Sequence, residues 1–382
     1  MSTDARGAAG VPGRSWVEVR PGALRRNFRR INASVGASSV ILPMVKADAY
    51  GLGMESVVRA LEPENPWGFG VASLEEGERL RAAGVQRPIL VASPLPPGAY
   101  DRAVAASLTP SLSEIEAIDR LVAAADRVGL PVDFHVEIDT GMGRSGFDWR
   151  RVEEWAPALK DRSTDGVVWA GVYTHFHSAD VDGDDSTLEQ WTRLHRALEG
   201  LGDGAVGLLH GCNGAAALRY PSLAVDAVRP GIFLYGGGVG EGVETPEAVA
   251  TLHSQVTLIR EVPVGTTLGY GATYRATGEE RWAALGIGYG DGFPRILGNR
   301  GRVLLRGQSA PIIGRISMDV TVVDISDVDG VRVGDTATLI GTDGQAGITL
   351  DEVAAQAGTI SYEILTGLTG RLPRVWVEDD VV

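Results

Sequence analysis

Eight short β-rich runs separated by helical text fill residues 40–236, and this alternation constrains the fold more than any other feature of the chain. The runs are Val40 to Val45, Trp67 to Ala72, Pro88 to Ala92, Leu108 to Leu112, Val132 to Ile138, Val167 to His175, Val206 to His210 and Ala227 to Tyr235. Helices that cross over between parallel strands give this rhythm. Two of the intervening helices are SLEEGERLRAAG from Ser73 and STLEQWTRLHRALEG from Ser186, each opening on a serine able to cap and closing on a glycine. Eight βα units predict an α/β fold with a TIM-type (β/α)8 barrel. A doubly wound open sheet is the alternative, but it rarely needs eight consecutive strands, and no GxGxxG turn follows the first run. A chain of 382 residues has room for a barrel of about 250 residues and a smaller module.

After about Gly240 the helical spacing fades. Gly, Thr and Val then punctuate short alternating runs such as WAALGIGYG, RVLLRG, PIIGRI, VTVVDI and TATLIG. This text predicts a separate β-rich domain, interrupted by one helix near Thr349 to Gly358. The expected organisation is a disordered start over 1–13, a barrel over 14–240 and a C-terminal β domain over 241–382. Composition then removes several functions. No apolar run approaches the roughly 20 residues of a membrane helix, and MSTDARGAAGVPG lacks the apolar centre of a signal peptide. Cys212 is the only cysteine, which excludes an intrachain disulfide or a cysteine-rich zinc site and fits a reducing cytoplasm. A formal charge of -14, with no basic stripe to interrupt it, argues against nucleic-acid binding.

Candidate chemistry gathers at the ends of the runs. The first, VILPMVKADAYG, places Lys46 after apolar residues, at the carboxyl end where barrels keep their catalytic groups. Desolvation there lowers an ammonium's pKa and favours a Schiff base with an aldehyde cofactor. The eighth run, DAVRPGIFLYG, brings Arg229 and a Pro-Gly turn, while the seventh ends in Asn213 and Gly214. Barrels commonly bind phosphate after strands seven and eight, and in a closed barrel those strands neighbour strand one. An amine beside a phosphate site suits pyridoxal 5′-phosphate (PLP). The fifth run alternates, with Phe134, Val136 and Ile138 on one face and Asp133, His135, Glu137 and Asp139 on the other, the polar face being assigned to the barrel interior. His175 and His177 form an HxH, but no carboxylate stands at an obvious partner spacing, so no metal site is assigned.

Eight blocks in order, VKADAYGLG at 45–53, DTGMGRSG at 139–146, YTHFHSAD at 173–180, VRPGIFLYG at 228–236, GYGATY at 269–274, IGYGDGFPR at 287–295, GRISMD at 314–319 and ISYEILTG at 360–367, resemble alanine racemase, a fold-type III PLP enzyme. The resemblance spans nearly the whole chain. It implies that Lys46 carries the cofactor as an imine, with the cofactor-binding Tyr50 in the motif following it, that Asn213, Gly214, Gly231, Ile232 and Tyr362 surround the phosphate, and that His175 lies beside the ring. Arg229 would face the pyridine nitrogen. A guanidinium keeps its proton, so that nitrogen stays unprotonated, the ring is a weaker electron sink, and return of the proton to the substrate's α-carbon is favoured over transamination. Racemisation needs a base on each face of the substrate. Lys46 would be one, and Tyr270, from the β domain of a partner subunit, the other. A phenol is a poor base at neutral pH, so nearby cations or hydrogen bonds must assist its ionisation. By the same resemblance Arg144 binds the substrate carboxylate or the cofactor's phenolic oxygen, and Tyr289, Met318 and Asp319 line the entrance from the partner chain of a homodimer.

Two positions depart from the family pattern. Where many members carry a lysine that becomes carbamylated, this chain has Glu137, which would supply a carboxylate directly to orient Arg144, by a shorter stem. Where serine is frequent, Gly214 would cost the phosphate a hydroxyl donor, about 1 kcal/mol. The implied function is alanine racemisation, supplying D-alanine for peptidoglycan. A racemase of serine or of broad specificity, a PLP-dependent decarboxylase and a non-catalytic PLP-carrier protein are the alternatives.

Overall fold

The computed structural model describes residues 13–202 and 207–378. The start of the chain up to residue 12, expected to be disordered, and Val206, expected to open the seventh run, lie outside the described residues. The chain divides into two compact units, one over Leu24–Pro246 and one combining the segment up to Ala23 with Glu247 onward.

In the first unit all eight runs contain a strand, and the strands pair in parallel in the order Val40–Ile41, Ala227–Arg229, Leu208–Asn213, Val167–Tyr173, Val132–Asp139, Thr109–Leu112, Ile89–Val91 and Phe69–Val71. The ends meet. Met44 bridges Gly70 in parallel, Val45 N–H donates to the Gly70 carbonyl at 2.8 Å, and Gly70 N–H donates to the Pro43 carbonyl at 2.9 Å. The sheet is therefore a closed barrel. Phe69, Val71, Ile89, Leu90 and Val91 are fully buried, as parallel strands covered by helices require. Two strands are shorter than their runs. Pro43 has no N–H for a ladder, so the first stops at Ile41. Pro230 and Gly231 turn the eighth into a 3-10 turn over Ile232–Tyr235.

The helix Leu74–Ala82 is capped as its sequence predicts: Ser73 Oγ accepts from Glu76 N–H, and the Glu76 side chain accepts from Ser73 N–H. The helix Ser186–Leu201 corrects the second assignment. Asp185 is its N-cap, Ser186 already lies within it, and Gly202 with φ +67° rather than Gly200 ends it.

The second unit holds a ring of antiparallel pairs. Ala250–Val262, Glu280–Leu285, Thr321–Asp324, Gln308–Ile313, Arg302–Leu305 and Thr336–Asp343 pair in that order, and the last returns to the first. Ser15–Val19 lies antiparallel to Ala250–Val262 and parallel to Arg374–Trp376. Ser15–Val19, assigned above to the barrel domain, thus belongs to the sheet of the other unit, which takes the chain up to Ala23. The expected helix is present as Leu350–Ala357, with Thr349 Oγ1 accepting from Glu352 N–H and Gly358 in the left-handed region. A second helix, Ser361–Gly367, was not expected: its N-cap, Ile360, offers no capping oxygen, and Tyr, Ile and Thr read as strand formers.

One close approach fixes the barrel interior. A β-carbon on Gly171 would lie 2.7 Å from the His135 ring, so the strand Val167–Tyr173 must carry glycine there to admit the imidazole. Gly171→Ala should destabilise this unit by about 1–3 kcal/mol. A lower urea midpoint reads this out, and an unchanged midpoint would contradict the packing.

Candidate active site

Lys46 follows the first barrel strand and opens a tight turn, Lys46–Tyr50. Ala47, Asp48, Ala49 and Tyr50 all have φ between +52° and +55°. Left-handed backbone costs an L-residue about 1–2 kcal/mol, so the surroundings must enforce this turn. The Lys46 amine is held below the usual lysine range, chiefly by burial and then by the Arg144 charge. Glu76 opposes the shift and Arg229 adds to it. The chain has only one other lysine, Lys160. It is exposed on the outer helix Val152–Arg162 and donates to the Leu201 carbonyl. That scarcity is a sequence signal the motif reading passed over.

Arg229, 4% exposed, lies inside the barrel. It donates to the Thr174 carbonyl at 2.7 Å, the His210 carbonyl at 3.1 Å, the Gly211 carbonyl at 3.4 Å, His175 Nδ1 at 3.4 Å and His210 Nδ1. Its guanidinium carbon stands 4.8 Å over the Tyr173 ring. None of these partners is a carboxylate. Because a guanidinium only donates, His210 Nδ1 must accept, which leaves its proton on Nε2 to donate to His135 Nδ1 at 2.8 Å. His135 then carries its own proton on Nε2, which has no partner among the described residues. Burial, with the Arg229 charge second, holds His135 and His175 down to about 3 and His210 well below its usual value. Tyr173 meets Ser111 Oγ at 2.6 Å, and its phenol is pushed up by burial and by the Glu137 carboxylate. Sequence reading placed His135 on the inward face but missed His210, whose role depends on a contact across strands.

The turn after the eighth strand brings Tyr50, Gly214 and Gly231 together. A β-carbon on Gly231 would meet the Tyr50 hydroxyl at 2.2 Å, and one on Gly214 would meet Gly231 N at 4.0 Å. The Tyr50 ring stacks on Tyr235 with centroids 4.6 Å apart, and Tyr235 donates to the Met44 carbonyl at 2.8 Å. Ile232 opens the 3-10 turn beside them. Asn213 caps the short helix Gly214–Arg219: its Oδ1 accepts from Ala216 N–H at 3.0 Å, and its Nδ2 donates to the Phe176 carbonyl at 3.2 Å. Its side chain is thus spent on backbone. Around Gly214 the hypothetical β-carbon makes only ordinary contacts, the nearest at 3.7 Å from Phe233 Cβ, so the missing hydroxyl reflects no lack of space.

Glu137, 3% exposed, accepts from Ser145 Oγ at 2.6 Å. The expected direct link to Arg144 is not made among the described residues. The short glutamate stem keeps the carboxylate inside the barrel, beside Tyr173, while Arg144 is exposed. Arg144 acts electrostatically on both Lys46 and His175, so it faces the same site. His177 does not converge with His175; its Nδ1 meets Ser178 Oγ at 2.6 Å.

Tyr270, Tyr289, Met318, Asp319 and Tyr362 lie in the second unit. Tyr270 is 69% exposed in the turn Tyr270–Ala272. The Tyr289 and Met318 segments run together, with Gly290 N–H donating to the Met318 carbonyl at 2.8 Å. Asp319 pairs with Arg371 at 2.6 Å and with Arg14 at 3.5 Å. Tyr362, on the helix Ser361–Gly367, is exposed.

Known proteins are similar to this chain over nearly all of its length. Residues 19–238 match the family model of the alanine racemase N-terminal domain, and residues 249–376 that of the alanine racemase C-terminal domain. The chain belongs to the alanine racemase family. The members of this family are named for an isomerase activity, and they include alanine racemase of Halothermothrix orenii, 36% identical over 365 residues covering 94% of this chain and 96% of that protein. The alanine racemase of Carboxydothermus hydrogenoformans is 36% identical over 368 residues, 95% of this chain and 99% of that protein. Among solved structures, the alanine racemase of Clostridium difficile 630 superposes with a TM-score of 0.91 at 31% identity, covering 97% of both chains. That of a D-cycloserine-producing Streptomyces lavendulae gives 0.90 at 32%, covering 97% of this chain and 98% of that one. The alanine racemase barrel and its following strand-rich unit are therefore the fold of this chain.

The three buried imidazoles carry a pH prediction. Their folded-state pKa values lie below the unfolded value near 6.5, so the unfolded chain binds more protons between about pH 3 and 6.5. The stability they allow is complete above the unfolded value and is lost as pH falls through that window. By NMR, His135, His175 and His210 should stay neutral from about pH 8 to pH 5, and a normal titration of any of them would contradict the tautomer chain.

Proposed function

We propose that the chain is a PLP-dependent racemase that interconverts L- and D-alanine, with Lys46 as one base and Tyr270 of a partner subunit as the other. Lys46 carries the reading. It is one of two lysines, it stands at the carboxyl end of a barrel strand, and its ammonium form is disfavoured by burial and by two arginines. Its surroundings fit the cofactor: the Tyr50 hydroxyl, Gly214 and Gly231 suit a phosphate, and Arg229 offers a permanent donor to a ring nitrogen.

When bound, the cofactor would supply an aldehyde that captures amines and a conjugated ring that eases loss of an α-proton. The chain's own groups do the rest. The neutral Lys46 amine takes or returns the proton on one face. Tyr270 does the same on the opposite face, its hydroxyl presented from an exposed turn. Arg144 binds the substrate carboxylate, and Glu137 acts on the site through Ser145 and Tyr173 rather than by gripping Arg144. Neutral His175 flanks the ring without adding charge. On the same reading Tyr362 adds to the phosphate contacts, while Tyr289, Met318 and Asp319 of the partner subunit line the entrance. This assigns a cytoplasmic homodimer with shared sites, making D-alanine for peptidoglycan.

Incubating purified protein and PLP with single L-amino acids, then resolving enantiomers by chiral chromatography, tests the activity. L-Alanine should pass to an equal mixture. A D-product from serine alone would reassign the substrate, and release of carbon dioxide without any D-enantiomer would overturn the racemase reading. Lys46→Ala should remove the visible absorbance of the cofactor-bound protein; an undiminished yellow protein refutes the anchor. Tyr270→Phe should lower turnover in both directions by about 10²–10⁴-fold with cofactor retained, whereas normal turnover would refute the second base.

A further inference from the structure

The left-handed turn that presents Lys46 is gripped by one face of the helix Leu74–Ala82. Glu76 Oε1 accepts from Ala47 N–H at 2.6 Å, while its Oε2 accepts from Ala72 N–H at 2.9 Å and Ser73 N–H at 3.3 Å. One carboxylate thereby ties the residue after Lys46 to the end of the second barrel strand, Phe69–Val71. Arg79, one turn further along the same helix, donates to Asp48 Oδ1 at 2.9 Å and holds Glu55 with two bonds at 2.8 and 2.7 Å. Asp48 Oδ1 also accepts from Met54 N–H at 3.1 Å. The helix itself is seated by Gly77, where a β-carbon would strike Leu108 Cδ1 at 2.6 Å. Four successive residues in an unfavourable conformation need such outside constraint, because the turn's own hydrogen bonds do not repay it.

We propose that Glu76 is a positioning residue for Lys46: its carboxylate clamps the Ala47 amide and so holds the left-handed turn that aims the amine. The Glu76 charge also opposes the lowering of the Lys46 pKa by burial and by Arg144. The same oxygens that cap a helix thus set the aim of the amine, while burial and Arg144 dominate its ionisation. A cap alone would need only the Ser73 contact; the reach to Ala47 is the part that capping does not explain. The inference deepens the reading of Lys46 as the reactive amine and rests on it for its functional meaning.

The test uses the full chain without cofactor. Competitive acetylation across a pH series, read by mass spectrometry, reports the ionisation of Lys46, with the exposed Lys160 as internal reference. Glu76→Gln removes the charge and keeps one acceptor oxygen, which can serve Ala47 or the Ala72 and Ser73 N–H groups but not both; it should move the Lys46 profile toward lower pH and leave Lys160 unchanged. Glu76→Ala removes both and should also speed amide exchange at Ala47 by about tenfold. An unshifted Lys46 profile in Glu76→Gln, or unchanged Ala47 exchange in Glu76→Ala, overturns the proposal. Either failure leaves the racemase reading intact, and a cofactor found bound elsewhere than Lys46 would sink that reading without touching these measurements.

Discussion

A guanidinium buried inside a parallel barrel with no carboxylate among its hydrogen-bond partners, and only the charge of Glu137 acting on it from beyond Tyr173, is the constraint on which the rest of the site depends. Arg229 must be satisfied by lone pairs, and the carbonyls of Thr174 and His210 and the ring nitrogens of His210 and His175 supply them. Those nitrogens can accept only if the imidazoles stay neutral. Burial and the cation both enforce that, since a second positive charge in a low-dielectric interior is strongly disfavoured. At Lys46 burial and the Arg144 charge push the amine toward its neutral form, and Arg229 adds to them. A chain of net charge -14 has thus built a locally cationic centre at the mouth of its barrel, suited to an anionic cofactor and to an amino acid's carboxylate.

Backbone geometry serves the same end. Conformational strain is concentrated immediately after Lys46, and space is tightest at Gly231, where a side chain larger than glycine would evict the Tyr50 hydroxyl. Helix Leu74–Ala82 and the Tyr50–Tyr235 stack oppose that strain from two sides. The amine and the Pro230-Gly231 turn therefore stay in register through rigid neighbours, which is what preorganised chemistry demands.

The barrel was legible because its strands are short and mostly buried apolar runs, and because His135 and Glu137 break one of them with buried polar side chains, although Asp133, expected on the same inward face, is exposed. Lys46 was legible as a charge at the end of such a run. The contacts that give it meaning were not. His210 and His135 meet across strands, Glu137 chooses Ser145 over Arg144, and Glu76 looks like a simple capping residue until the fold brings Ala47 to it. Ser15–Val19 was misassigned because its partners, Ala250–Val262 and Arg374–Trp376, lie far along the chain, and no local pattern records such pairing. The helix Ser361–Gly367 escaped because tertiary packing overrode weak local propensity.

The central claim is that the Lys46 amine, and no other, bonds to the cofactor. Borohydride reduction of the PLP-loaded protein, digestion and mass mapping tests it most directly, since the chain offers only Lys46 and Lys160 besides its terminus. The account predicts a reduced pyridoxyl group on the peptide containing Lys46. A label confined to Lys160 or to the α-amine, or none at all, would contradict it.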